Sequence, residues 1–252
     1  MQAIEIETVA SPTLTDPVLI EGLPGVGHVG KLAAEYLVEQ LDGELVRRVY
    51  SEYFPPQLTV DDEGVGELAA AAFYAVGVGD RDALVLVGDH QAQEVVGHYR
   101  LSEAFLDVAE DLGVTEVVTL GGVPTGELVE DYTVIGAVND PSVRPRYEAA
   151  GVEFRPGEPA GGVIGPTGLL LGLAARRDLE AACLLGETSG YVVDPKSAQA
   201  VLEVLQAALG FELDFAALQE RAQEMESMVR QFQSMSAVET PAPGDEDLRY
   251  FD

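Results

Sequence analysis

The chain has no tryptophan, one cysteine and two lysines, Lys31 and Lys196. Cys183 alone cannot build a disulfide framework or a cysteine-based zinc site. The 14 Lys and Arg stand against 44 Asp and Glu. The arginines are scattered, which argues against nucleic-acid partners, whose phosphates are held by clustered cations. No apolar run approaches the ~20 residues of a membrane helix, and the opening MQAIEIETVA does not read as a signal peptide. His28, His90 and His98 include no H-x-x-x-H pair, so no metal set is expected, and no cofactor. The expectation is a soluble, cytoplasmic protein without membrane partners.

What is abundant is negative charge. The formal net charge is -30, with acids distributed along the whole chain while Lys is almost missing and Arg is kept. Such a balance fits a halophilic protein, in which counterions screen self-repulsion. An acidic patch for one basic partner would be more local. Hydrophobic residues make up 47 % of the 252 residues, enough for a chain of this size to bury roughly 70–75 % of its unfolded surface.

From Val18 to about Gly210 short apolar runs alternate with longer helical stretches. Strands are expected at Val18–Glu21, Leu45–Tyr50, Leu68–Val76, Ala83–Val87, Val117–Leu120, Tyr132–Val138 and Ala182–Leu185. Helices are expected at Val29–Leu41, Glu94–Leu112, Val143–Ala150, Leu169–Arg176 and Lys196–Leu209. Runs such as ALVLV and EVVTL lack in–out alternation and read as strands covered on both faces. That pattern predicts an α/β core over residues 1–213, with a largely parallel sheet and helices on both faces.

Two C-terminal segments differ from this core. Asp214 can N-cap a helix over residues 214–236. Its apolar positions Leu218, Ala222, Met225, Val229 and Phe232 follow a 4-3-4-3 spacing, the narrow stripe of a self-association seam. The competing expectation is a helix laid on its own domain. Residues 237–252 begin AVETPAPGDED, a composition that reads as a flexible acidic tether. The tether closes on Leu248-Arg249-Tyr250-Phe251-Asp252, large apolar side chains that call for a receiving surface.

Directly after the strand VLIE, Gly25, Gly27 and Gly30 satisfy G-x-G-x-x-G in the strand–turn–helix context of a dinucleotide site. Gly25 to Lys31 also satisfies G-x-x-x-x-G-K, although Leu32 stands where a magnesium-binding Ser or Thr belongs. The loop is thus a possible ligand-binding site, and an enzyme holding a nucleotide or nucleoside there, with Asp89 and His90 near the substrate, is the alternative function. The same glycines serve close helix–sheet packing in any α/β fold. Cys183, inside AACLLG, reads as a core residue. Gly-rich turns at Leu120–Gly126, Ala160–Gly168 and Gly186–Gly190 each adjoin a strand and could line one crevice.

The combination EGLPGVGHVGKLAAEYL, LGGVPTG, GPTGLLLGLA and LLGETSGYVVDPKSAQAVLEVL resembles the archaeal proteasome assembly chaperone family, related to the second eukaryotic assembly chaperone subunit. The resemblance runs from about Val18 to Leu209. It implies a nucleoside-phosphorylase-like α/β fold without established catalytic residues, an oligomer of itself or mixed with a paralogue, and binding to the proteasome α-subunits that form the α-ring. Family members often end in a hydrophobic–tyrosine–any-residue tripeptide that enters pockets between α-subunits. The positions here are Tyr250, Phe251 and Asp252, with Leu248 just before them. Phe251 keeps the ring and loses the hydroxyl, which bears on gate opening more than on docking.

Overall fold

The structure, a computed structural model, describes residues 3–60 and 63–223. Strands β1 (Ile4–Thr8), β2 (Val18–Gly22) and β3 (Glu44–Ser51) precede a small hairpin, β4 (Leu58–Val60) and β5 (Gly66–Leu68). After it come β6 (Ala70–Val78), β7 (Arg81–Gly88), β8 (Glu116–Pro124), β9 (Val134–Val138) and β10 (Glu180–Thr188). Eight of these strands form one sheet in the order β1-β3-β6-β7-β2-β8-β10-β9, and β4-β5 stand apart. The central strands β7, β2, β8 and β10 run parallel. The flanking strands β1, β3 and β6 on one wing, and β9 on the other, join antiparallel. The fold is therefore the expected α/β architecture, its parallel part concentrated in the middle of the sheet.

Alternation along the central strands explains why both faces are covered. Val18 and Ile20 of β2 join the core shared with α1 (Val29–Gln40) and α5 (Pro195–Leu209). Leu19 joins the opposite core, under α2 (Val95–Asp111) and α4 (Gly165–Ala175). With a period of two and apolar residues on both sides, the strand can only lie between two helical layers. A short helix, α3 (Arg144–Ala149), places the fully buried ring of Tyr147 in the α1–α5 core. On the other face Phe73 meets Phe105 edge-on, with ring centroids 5.9 Å apart. Helix α5 starts on Asp194, whose carboxylate accepts from Ser197 N at 3.1 Å, and stops at Gly210 in the left-handed conformation.

Residues 216–223 are helical, entered through an Asp214 carboxylate that accepts from Ala216 N at 2.9 Å. Leu218 is fully buried and Ala222 nearly so, and Leu218 lies in the α1–α5 core of its own domain. Phe215 stacks on Tyr36, whose hydroxyl donates to the Asp214 carbonyl. Leu218 is thus taken up by its own domain, as the competing expectation has it, and Ala222 is nearly buried. The remaining seam positions Met225, Val229 and Phe232, and the tail residues Leu248, Tyr250, Phe251 and Asp252, lie outside the described residues. No helix among the described residues is long and apolar enough to cross a membrane.

Candidate functional site

The parallel strands β7, β2, β8 and β10 end on the same side of the sheet, where α/β folds place their ligand sites. There the structure opens a cleft of ≈ 1230 Å³. Two of the three Gly-rich turns line it, Leu120–Thr125 from the end of β8 and Ala160–Gly165 with Thr167–Leu169 from the approach to α4, while of Gly186–Gly190 only Glu187, still in β10, reaches it. The expected crevice therefore exists. Its other wall comes from the start of α2, through Val95, His98 and Tyr99, and from Gln91 just before it. The lining is mostly apolar. Its one arginine, Arg155, is engaged by Glu153, Glu158 and Glu187, at 2.8, 3.3 and 2.7 Å. These partners, Glu187 first, hold the guanidinium well above its usual pKa against a smaller opposing effect of burial.

The Gly25–Gly30 loop divides into two kinds of glycine. Gly25 lines the cleft, and a Cβ there would meet nothing within 4 Å. A Cβ on Gly30 would come 2.1 Å from the Leu120 carbonyl oxygen, and one on Gly22 would come 2.2 Å from the Gly30 carbonyl oxygen. A Cβ on Gly27, which has φ +60°, would press on the Thr188 side chain at 2.9 Å. Gly27, Gly30 and Gly22 therefore let α1 approach β2, β8 and β10. The space that their missing side chains leave is filled by protein.

Lys31 does not face the cleft. Its ammonium bonds Asp89 at 2.8 Å and also pairs with Glu35 one turn along α1. Burial opposes its charge, but Asp89 and Glu35 outweigh that and raise its pKa, while the hydrogen bond from Lys31 lowers that of Asp89. A lysine held by two carboxylates is poorly placed to receive a phosphate. Asp89 is thus a partner of Lys31, and His90 bonds Gln57 at 2.8 Å. The loop anchors α1 to the sheet, and among its four expected ligand residues Gly25 alone reaches the crevice.

One residue escaped the sequence reading. Glu21, near the end of β2, is fully buried. Its Oε1 accepts from Leu23 N at 2.9 Å, and its Oε2 has no hydrogen-bond partner. Burial pushes its pKa up to about 8, against the smaller pull of the Leu23 N–H and the Thr167 hydroxyl. Glu21 pairs in register with Thr119 of β8, and Thr119 pairs with Cys183 of β10. These three form a buried polar row behind the cleft floor, beneath the start of α4. Cys183 is the expected core residue, its thiol pushed up to about 12 by burial. The available signal was a lone carboxylate in the apolar run VLIEGL.

Comparison with known proteins agrees with this architecture. The model of the PAC2 family matches residues 19–233. The chain belongs to the PAC2 family. A relative from Methanocaldococcus jannaschii is 36% identical over 242 residues, spanning 94% of this chain and 93% of the relative. The crystal structure of PbaB from Pyrococcus furiosus, an archaeal proteasome activator, superposes with a TM-score of 0.88 and 35% identity, covering 92% of this chain and 100% of PbaB. PbaA from the same organism, an archaeal homolog of proteasome-assembly chaperone, gives 0.74 and 26%, covering 92% and 96%. The PAC2 fold thus spans the sheet, the cleft and the Gly-rich loop together.

Proposed function

We propose that this chain is a non-catalytic, cytoplasmic chaperone that associates with the proteasome core particle, docking its C-terminal aromatic segment on the α-ring. The observation that carries this reading is the PAC2 match across the domain, joined to near-complete superposition on PbaB, an archaeal proteasome activator. The composition of residues 237–252 supports it. Tyr250 and Phe251 follow a stretch with two prolines, one glycine and four acids that has too little apolar surface to fold alone. Burying one aromatic ring in a partner pocket contributes about 1.5–3 kcal/mol, and the Asp252 side-chain carboxylate can pair with a cation there. One such segment binds weakly, because ordering it costs entropy. Several on one oligomer gain avidity through effective concentration, and Met225, Val229 and Phe232 supply a seam for that oligomer.

The test is recovery of α-subunits from lysate at high salt by the full chain and by a form lacking Tyr250, Phe251 and Asp252. The truncated form is expected to lose α-subunit recovery while keeping its melting temperature and its own oligomeric mass. Equal recovery by the two forms would falsify tail docking.

A further inference from the structure

The exposed large apolar side chains are not spread over the surface. Apart from Ile6 and Val9, those of the described residues sit in the connections at the carboxyl end of the parallel strands. Leu128 follows β8, Tyr191 and Val192 follow β10, and Val95, Tyr99 and Ile164 rim the cleft at the starts of α2 and α4. In a chain carrying so much negative charge, an apolar end of this kind marks a contact surface.

The β4–β5 hairpin belongs to the same end. β6 follows it, and Ala71 of β6 pairs with Gly88, the last residue of β7. The hairpin base is fixed beside the cleft: Gln57 bonds His90, and Gln93 N donates to the Tyr53 carbonyl. Leu58 pairs with Leu68, and Val60 with Gly66, so Leu58, Val60 and Leu68 share one face, and Thr59 and Glu67 share the other. The hairpin is amphipathic, and its apolar face is open: these three side chains are 55%, 62% and 57% exposed. A two-stranded sheet with no core beneath it is marginal in water.

One end of the chain therefore carries both an uncovered apolar knob and an apolar socket. The geometry points to an interface between two copies of this chain, in which the apolar face of each β4–β5 hairpin seats in the cleft of the other copy. A self-complementary patch of this kind is what a two-fold interface requires. The socket favours an apolar occupant over an anionic one, since Arg155 is already held by three glutamates. The inference stands apart from proteasome binding, and it uses a surface other than residues 225–232.

Sedimentation of the full chain in molar KCl, with two sets of substitutions, tests it. Leu58→Asn, Val60→Asn and Leu68→Asn together remove the knob. Val95→Asp with Ile164→Asp spoils the socket rim. All five positions are more than half exposed, so melting temperatures should stay close to that of the parent and show that each variant folds. Each set is expected to abolish the dimer contact and yield a smaller species. An equimolar mixture of the two sets should pair again, because it retains one intact knob and one intact socket. As a second readout, copies with Leu58→Cys and copies with Ile164→Cys should couple through a short bismaleimide, with the buried Cys183 silent. A parent chain that is monomeric, a mass unchanged by either set, or a mixture that does not pair overturns the inference. Recovery of α-subunits plays no part in the readout, so failure here leaves tail docking standing.

Discussion

Glu21 places a carboxyl where the central strand offers it neither water nor a cation. The folded protein holds this proton up to about pH 8, whereas an ordinary glutamate releases it near 4.5. The stability that Glu21 contributes is therefore complete below pH 4.5, declines between 4.5 and about 8, and is gone above that. The slope for one proton is about 1.4 kcal/mol per pH unit. Glu21→Gln keeps an acceptor for Leu23 N and removes the titration. Denaturant unfolding of both forms at matched salt, from pH 5 to 8, should show the parent losing ground to the variant as pH rises. Parallel curves across that range would refute the buried neutral acid. The residue was hard to see in advance because a carboxylate at a strand end usually meets solvent. Only the layers laid over β2 by α2 and α4 exclude water from it.

At the level of elements, the glycine-rich loop separates two uses of one motif. A phosphate and a neighbouring strand both demand a residue without Cβ, so G-x-G-x-x-G alone cannot tell them apart. The structure can. Gly30→Ala would force Cβ onto the Leu120 carbonyl and should cost about 1–3 kcal/mol by separating α1 from β8. Gly25→Ala enters open space at φ -155° and should stay within about 0.5 kcal/mol of the parent. Thermal melting of the two variants decides, and equal destabilisation would contradict the packing role.

The same scale shows which elements the chain announced. ALVLV and EVVTL became β7 and β8 in the parallel centre, because continuous apolar runs have no other place to go. IEIET alternates like a strand, yet β1 is a mostly exposed edge and contributes Ile4 alone to the core packing. The β4–β5 hairpin was hidden by Pro55 and Pro56 before it and by the acidic connection DDEGV within it. Its apolar residues buried nothing that periodicity could register. The Gly-rich turns were legible one by one. The convergence of two of them on one cleft depended on strand order, which local pattern does not encode.

For the molecule as a whole, the scarcity of cations shapes the surface. Arg155 serves three glutamates, Arg177 serves Asp107 and Glu110, and Arg81 serves Asp16 and Glu116. The excess of acid over base leaves long-range repulsion that only dissolved salt can screen, over a length falling from about 10 Å at 0.1 M to about 3 Å at 1 M. The melting temperature should therefore climb as KCl rises from 0.1 to 2 M. Each ~1 kcal/mol of relieved repulsion is worth about 2–4 °C in a domain of this size. A flat profile would mean that the acids are already neutralised within the fold.

Strand order also decides when this protein can come into being on the ribosome. β2 must wait for β7 and β8 to flank it, and α1, complete at Gln40, finds α5 only after Pro195 has been made. Until then the cluster that holds Ala33, Tyr36 and Leu37 lacks the residues of α5 and Leu218 that complete it. Late closure of this sort leaves a half-made chain open to aggregation. A chain that closes its core last is exposed for longest while it is being made.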